Sequence, residues 1–150
     1  MAVQASTFVQ DLLFFIKNDI SGNVSDPLAG GRQTGTAFIM TSYPMRAVQY
    51  PIVTIKLINQ KANRAGMQTT AMDVVINLEI RIWGRNQKEK DTLANSVYKR
   101  LRDIQFTSST GSIANNLHDF KLLSATEIDE AGDNMPKSRV LQVQYSFFNI

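Results

Sequence analysis

The stretch "NLHDF" sets the single histidine, His118, beside Asp119. A His–Asp pair supplies the base and its orienting carboxylate in acyl transfer, provided a nucleophile stands within reach. Adjacent residues on a strand point to opposite faces, however, so this pair does not converge. The chain also has no Gly-x-Ser-x-Gly elbow and no cysteine. A structural or interface role is expected for His118, and no catalytic residue is expected. "GGRQTGTA" puts Gly30 and Gly35 in the frame of a phosphate-cradling loop. That loop needs Lys and then Ser or Thr after its second glycine, because the lysine reaches the terminal phosphates. Thr36 and Ala37 stand there instead, and no strand precedes them. "EIDEAGD" lacks the alternating acidic spacing and distal Glu of a calcium loop. Zinc sites draw mainly on His and Cys. Neither a metal nor a cofactor is expected.

What remains is charge placed for recognition. In "IRIWGRNQKEKD", residues 80 to 91, an apolar strand turns basic at a Trp-Gly-Arg-Asn corner. Gly84 allows a sharp turn, Asn86 can cap the helix that follows, and Glu89 is placed to complete the cap. Lys88 and Lys90 occupy a first turn where the helix dipole disfavours cations by ~0.3–1 kcal/mol each. Glu89 and Asp91 offset this, and the corner reads first as the place where a strand becomes a helix. The alternative is that, with Arg81 and Arg85, the lysines form a basic knob that could meet phosphate or a carboxylate-rich partner. Trp83 is expected to pack over the start of the helix. Between Pro27 and Met72 every formal charge is positive: Arg32, Arg46, Lys56, Lys61 and Arg64. Residues 127 to 133 hold the opposite patch, with Glu127, Asp129 and Glu130. Opposite patches on one small domain suit a head-to-tail contact between copies. The net charge of +3 is too mild to demand nucleic acid. Tyr43, Tyr50, Trp83 and Phe106 do not have the spacing of a base-stacking platform.

These residues must be positioned by a chain of 150 residues, the size of one domain that buries its own core. Apolar residues make up 43% and charged residues 19%, a globular composition. No apolar run approaches the ~20 residues of a membrane span. The start "MAVQASTF" lacks a basic leader region, and without cysteine the chain reads as folding in a reducing cytoplasm. The spacing predicts a first helix over 6 to 20, with Thr7 and Gln10 as a capping box. Its apolar stripe (Phe8, Leu12, Leu13, Phe15, Ile16, Ile20) is broadened by Val9 and Phe14 beyond what one sheet covers. A subunit partner is the natural second surface for Phe14. A long loop over 21 to 37 follows, then a short strand in "AFIMTS". Tyr43 and Tyr50, each before proline, are expected to be extended.

Strands are predicted at 52 to 58 and 74 to 83, joined by a polar, basic loop over 59 to 70. In the second, Val74, Ile76, Leu78, Ile80 and Ile82 alternate with more polar residues, the period of a sheet with one dry face. A second helix over 87 to 104 places Leu93, Val97, Leu101 and Ile104 on one stripe, flanked by Ala94 and Tyr98. After a loop, strands are expected in "DFKLLSATEI" and "SRVLQVQYSFF". The expectation is a single α+β domain over 1–150, with two helices packed on a mostly antiparallel sheet of four to five strands.

The order of these elements, with "YPMRAVQYPIVTI", "LEIRIWGRNQKEKDTLANSVYKRL" and "HDFKLLSA…RVLQVQYSFF", resembles the tail terminator (tail completion) proteins of tailed phages and archaeal tailed viruses. The resemblance spans Phe8 to Phe148. It implies a structural virion protein that forms a hexameric ring on the last ring of the tail tube protein and stops tube polymerisation. Its other face would join the head-tail connector or neck protein, and viral DNA would pass through the lumen without sequence-specific binding. On that view Arg32, Lys61 and Arg64 sit on loops facing a partner or the lumen. A neighbouring connector or stopper of the neck, and a small nucleic-acid-binding module, are the alternatives.

Overall fold

Residues Met72–Gly84 form the strand that organises the molecule, β3. Val74, Ile76, Leu78, Ile80 and Ile82 are all buried, while Val75, Asn77, Glu79, Arg81 and Trp83 between them are only partly covered. The computed structural model describes residues 8–28, 30–34, 36–41, 48–64, 67, 72–104, 117–129 and 137–148. The elements are α1 (Phe8–Asn23), β1 (Ile39–Met40), β2 (Ile52–Arg64), β3, α2 (Gln87–Asp103), β4 (Leu117–Asp129) and β5 (Lys137–Phe148). They build an α+β fold whose five-stranded sheet has the order β1-β2-β3-β5-β4. Every pairing is antiparallel except that of β1 with β2.

Both helices lie on one face of the sheet. Phe8, Leu12, Ile16 and Ile20 of α1 and Leu93, Ala94, Val97 and Leu101 of α2 share one buried cluster with Ile55, Ile80, Leu141, Val143, Tyr145 and Phe147. Fully burying each large aliphatic or aromatic side chain is worth ~1.5–3 kcal/mol. The Tyr145 hydroxyl donates to the Leu101 carbonyl, and burial pushes its pKa well above the ordinary value. Asp19 at the end of α1 holds Arg100 of α2 through two hydrogen bonds of 2.6 and 2.7 Å, which fixes the two helices side by side. No helix among the described residues is long and apolar enough to cross a membrane.

Several boundaries differ from those expected. The first helix runs to Asn23, and Thr7 of the expected capping box lies outside the described residues. The first strand shrinks to two residues. The largest difference is β2, which does not stop at residue 58 but continues to Arg64. Its second half has no alternation to read, because Asn59 to Arg64 are exposed on both sides. What makes it a strand is its partner: Asn59 to Arg64 pair in register with Asn77 back to Met72.

Candidate interaction surface

The basic corner is built by a close approach. A Cβ on Gly84 would lie 2.7 Å from the Lys90 backbone nitrogen and 2.9 Å from its Cα, so only glycine lets α2 leave β3 at this angle. Asn86 caps α2, its side chain accepting from the Glu89 N–H at 2.9 Å. Glu89 reaches back one residue further than expected: its Oε1 accepts from the Arg85 N–H at 3.0 Å. Its carboxylate also takes the Arg85 guanidinium at 2.6 Å, and that hydrogen bond holds the Glu89 pKa below its ordinary value against the opposing effect of burial.

The corner is thus the strand-to-helix junction read from the sequence, and the basic knob weighed beside that reading is dismantled. Arg85 is paired to Glu89 on its own helix turn. Lys90 is fully buried, its ammonium donating to the Glu127 carboxylate and, at 3.2 Å, to Gln87 Oε1. Arg81 points to the other face of the sheet, 3.5 Å from Glu79 and with its guanidinium 5.4 Å over the Trp83 ring. Trp83 accordingly lies away from the helix it was expected to cover. Arg85 and Lys88 stay exposed, and of the two only Lys88 has no ion pair among the described residues. It stands at the rim of a cleft of about 590 Å³ between the end of α1 and the start of α2.

The acidic patch is also less free than its sequence implies. Glu127 faces the helices, where it accepts from both Lys90 and Arg139, and Arg139 reaches Asp91 at 2.7 Å. Burial pushes the Glu127 carboxyl up, but the two hydrogen bonds outweigh it and its pKa ends below the ordinary value. Asp129 ends β4, and Glu130 lies outside the described residues. Arg32, expected to face a partner, is instead tied inward. It holds both oxygens of Asp26 at 2.7 Å and donates to the carbonyls of Gln49 and Pro51. Its hydrogen bond keeps the Asp26 carboxyl below its usual value. Arg32 is the clasp of the 26–51 region rather than a spare cation.

Charge without an internal partner lies elsewhere. Lys56, Lys61 and Arg64 form no ion pair among the described residues. All three stand on β2, and Lys61 and Arg64 belong to its protruding half rather than to a loop. Lys56 and Lys61 share the sheet face away from the helices, because Lys56 pairs with Glu79 and Lys61 with Val75. Between them an amide ladder crosses three strands: Gln144 donates to Asn77 at 3.1 Å, and Asn77 donates to Asn59. The ladder stiffens the arm from below.

Two backbone edges are open beside this charge. Among the described residues, β1 covers the outer edge of β2 only at Val53 and Thr54. Among the described residues, the outer edge of β4 has no neighbouring strand. Unpaired edges are templates for another strand. Each carries a bulge with an exposed aliphatic side chain: Ile58, 42% exposed, in β2 and Leu123, 50% exposed, in β4. A second irregularity in β4 lets Phe120 turn in against Tyr145 and puts Asp119 at a φ of 55°. The chain matches none of the known family models and none of the curated proteins with which it was compared.

Phe14 is exposed too, at 45%, as are Met67 and Leu122, whereas Val9, Leu13 and Phe15 pack against the core. Sequence reasoning singled out Phe14, Lys61 and Arg64, which remain exposed, but not Ile58, Leu122 and Leu123. A run of two leucines in a strand reads as core. Only the bulge, invisible in composition, turns Leu123 outward. The described residues contain no group of three or more His, Cys, Asp or Glu side chains placed to hold a metal.

Proposed function

We propose that this chain is a tail-terminator-type structural protein of a tailed virus, assembling as a ring on the end of the tail tube. The ring ends tube polymerisation and presents its other face to the neck. The observation that carries the reading is a pair of 13-residue strands, β2 and β4, on opposite sides of one small sheet, whose outer edges among the described residues are covered only where β1 meets Val53 and Thr54 of β2. A domain with two such edges is suited to heterologous contacts that close into a ring. The element order and motifs that resemble the terminator family support the same reading. In this role the protein belongs to the head-proximal end of the tail, its binding surfaces being strand edges and exposed cations.

The cations Lys56, Lys61 and Arg64 favour a second reading, a nucleic-acid-binding module, since spare charge on one strand attracts phosphate. Salt separates the two. A lumen lining attracts DNA weakly and with steep salt dependence, whereas a dedicated module holds it at physiological salt. The test of function uses tubes polymerised from the tail tube protein of the same virus, with labelled chain imaged on them. Label confined to tube ends, and tubes kept short by added chain, are the expected result. Label absent from tube ends, together with a gel shift of DNA or RNA at physiological salt, would overturn the terminator reading in favour of the module.

A further inference from the structure

The two open edges match one another. Strand registers carry a height across the sheet from edge to edge. Leu57 pairs with Leu78, Leu78 with Val143, and Val143 with Leu122. One step along, Asn59 pairs with Asn77, Asn77 with Gln144, and Gln144 with Lys121. The bulged Ile58 between those two rungs therefore stands level with Leu122 and Lys121, next to the bulged Leu123. Three exposed aliphatics, Ile58 on one edge and Leu122 and Leu123 on the other, lie at one height on opposite sides of the molecule.

Charge follows the same rule. Lys61 pairs with Val75, Val75 with Ser146, and Ser146 with His118, which sets Lys61 level with the His118–Asp119 step of β4. Over their full length the edges are opposite in sign. β2 carries Lys56, Lys61 and Arg64 with no acid, whereas β4 carries Asp119, 3.5 Å from Lys121, and Asp129, besides the Glu127 already held by Lys90 and Arg139. Direction also fits. β2 is antiparallel to β3, β3 to β5 and β5 to β4, so β2 and β4 run in opposite senses. Copies repeated side by side without inversion would bring β2 of one against β4 of the next as an antiparallel pair.

We propose that the subunit seam is this heterologous contact: the outer edge of β2 in one copy against the outer edge of β4 in the next. Ile58 packs on Leu122 and Leu123, and Lys61 faces Asp119. The occupant of each edge is a second copy of this chain. The inference rests on the ring reading above and names the surfaces that make the ring. Bulges on edge strands commonly guard against pairing, so the seam is a side-chain contact around the bulges with strand pairing beside them. Continuous pairing along all thirteen residues is not required.

The chain has no cysteine, which makes a disulfide test clean. Ile58→Cys and Leu123→Cys are prepared separately, mixed and oxidised, and their masses are measured before oxidation. The seam predicts a disulfide dimer in the mixture and none with either variant alone. It predicts a ladder of linked species from the variant carrying both substitutions. Each single variant linking to itself would overturn the seam in favour of a two-fold contact. Oligomers by mass with no cross-link in the mixture would also overturn it, leaving the ring reading in place. A ladder that extends into open fibres would keep the seam and sink the ring reading. A monomer at every concentration that also ignores tail-tube ends, with no cross-link in solution or on tubes, would sink both. Charge exchange supplies a second readout if a cysteine variant misfolds. Lys61→Asp and Asp119→Lys should each weaken assembly about tenfold, and the two together should restore it. No restoration, with wild-type folding intact, counts against the contact.

Discussion

The two ends of the β2–β3 hairpin use charge in opposite ways. At the corner end, from Gly84 to Asp91, charged groups are mostly used up inside the chain. Arg85 is held by Glu89, Lys90 by Glu127, and Asp91 by Arg139. At the far end, Lys61 and Arg64 stand on an exposed arm with no ion pair among the described residues. A cation with an internal partner stabilises the fold and is costly to disturb. A cation without one contributes little to the fold and is available to another molecule. Basic sequence of similar density therefore means internal structure at one end and exposed, unengaged charge at the other.

Breaking the corner should have the largest effect. Gly84→Ala drives a methyl group into the backbone of Lys90, and such overpacking costs about 1–3 kcal/mol. A clear fall in the thermal unfolding midpoint is expected. A midpoint equal to wild type would mean that α2 is not held as closely as described.

Next comes Glu127→Ala, which strands the buried Lys90 ammonium. Removing one partner of a buried pair costs about 3–5 kcal/mol. Because the Glu127 side chain is 41% exposed, solvent screening reduces this to about 2 kcal/mol. Lys90→Met should be far milder, within about 1 kcal/mol, since methionine fills the same space without a charge to satisfy. Glu127 then keeps Arg139 and its contact with water. Urea unfolding of the two variants ranks them, and a larger loss for Lys90→Met would refute the asymmetry.

Acid sharpens the comparison further. Asp26, Glu89 and Glu127 are all held below their ordinary values of 3.8, 4.5 and 4.5. A depressed carboxylate stabilises the fold above its unfolded pKa. As pH falls, the unfolded chain takes up protons first, so that stability is lost between the unfolded and folded values. Unfolding free energy should stay level down to about pH 4.5 and then drop. A curve flat to pH 3 would contradict these pairings. The arm variant Lys61→Glu with Arg64→Glu should trace the same curve, having no carboxylate partner to lose.

The smallest effect on stability belongs to that same arm variant. Both side chains are exposed, so unfolding should shift by no more than about 0.5 kcal/mol. Its effect should appear in assembly, with rings weakened while the fold is unchanged. A variant that assembles on tubes as wild type does would remove Lys61 and Arg64 from the interface.

How far the sequence could be read follows the same division. β3 was legible because its alternation reflects one dry face, and α2 because Leu93, Val97 and Leu101 repeat at helical spacing behind the Asn86 cap. The second half of β2 was not, because a strand exposed on both sides needs no period and is specified by its neighbour across the ladder. Lys90 could not be separated from Lys88 by local reading, since its partner Glu127 lies 37 residues away. Arg32 looked free for the same reason: two of its acceptors are the carbonyls of Gln49 and Pro51. The exposure of Leu123 depends on a bulge that only pairing with β5 reveals.

The most direct test of the central claim is the mass of the purified chain in solution across a concentration and salt series, with negative-stain images of the same fractions. The account predicts closed rings of about six copies, alone or on the ends of tail tubes. A chain that stays monomeric throughout, ignores tube ends and binds nucleic acid at physiological salt would contradict it.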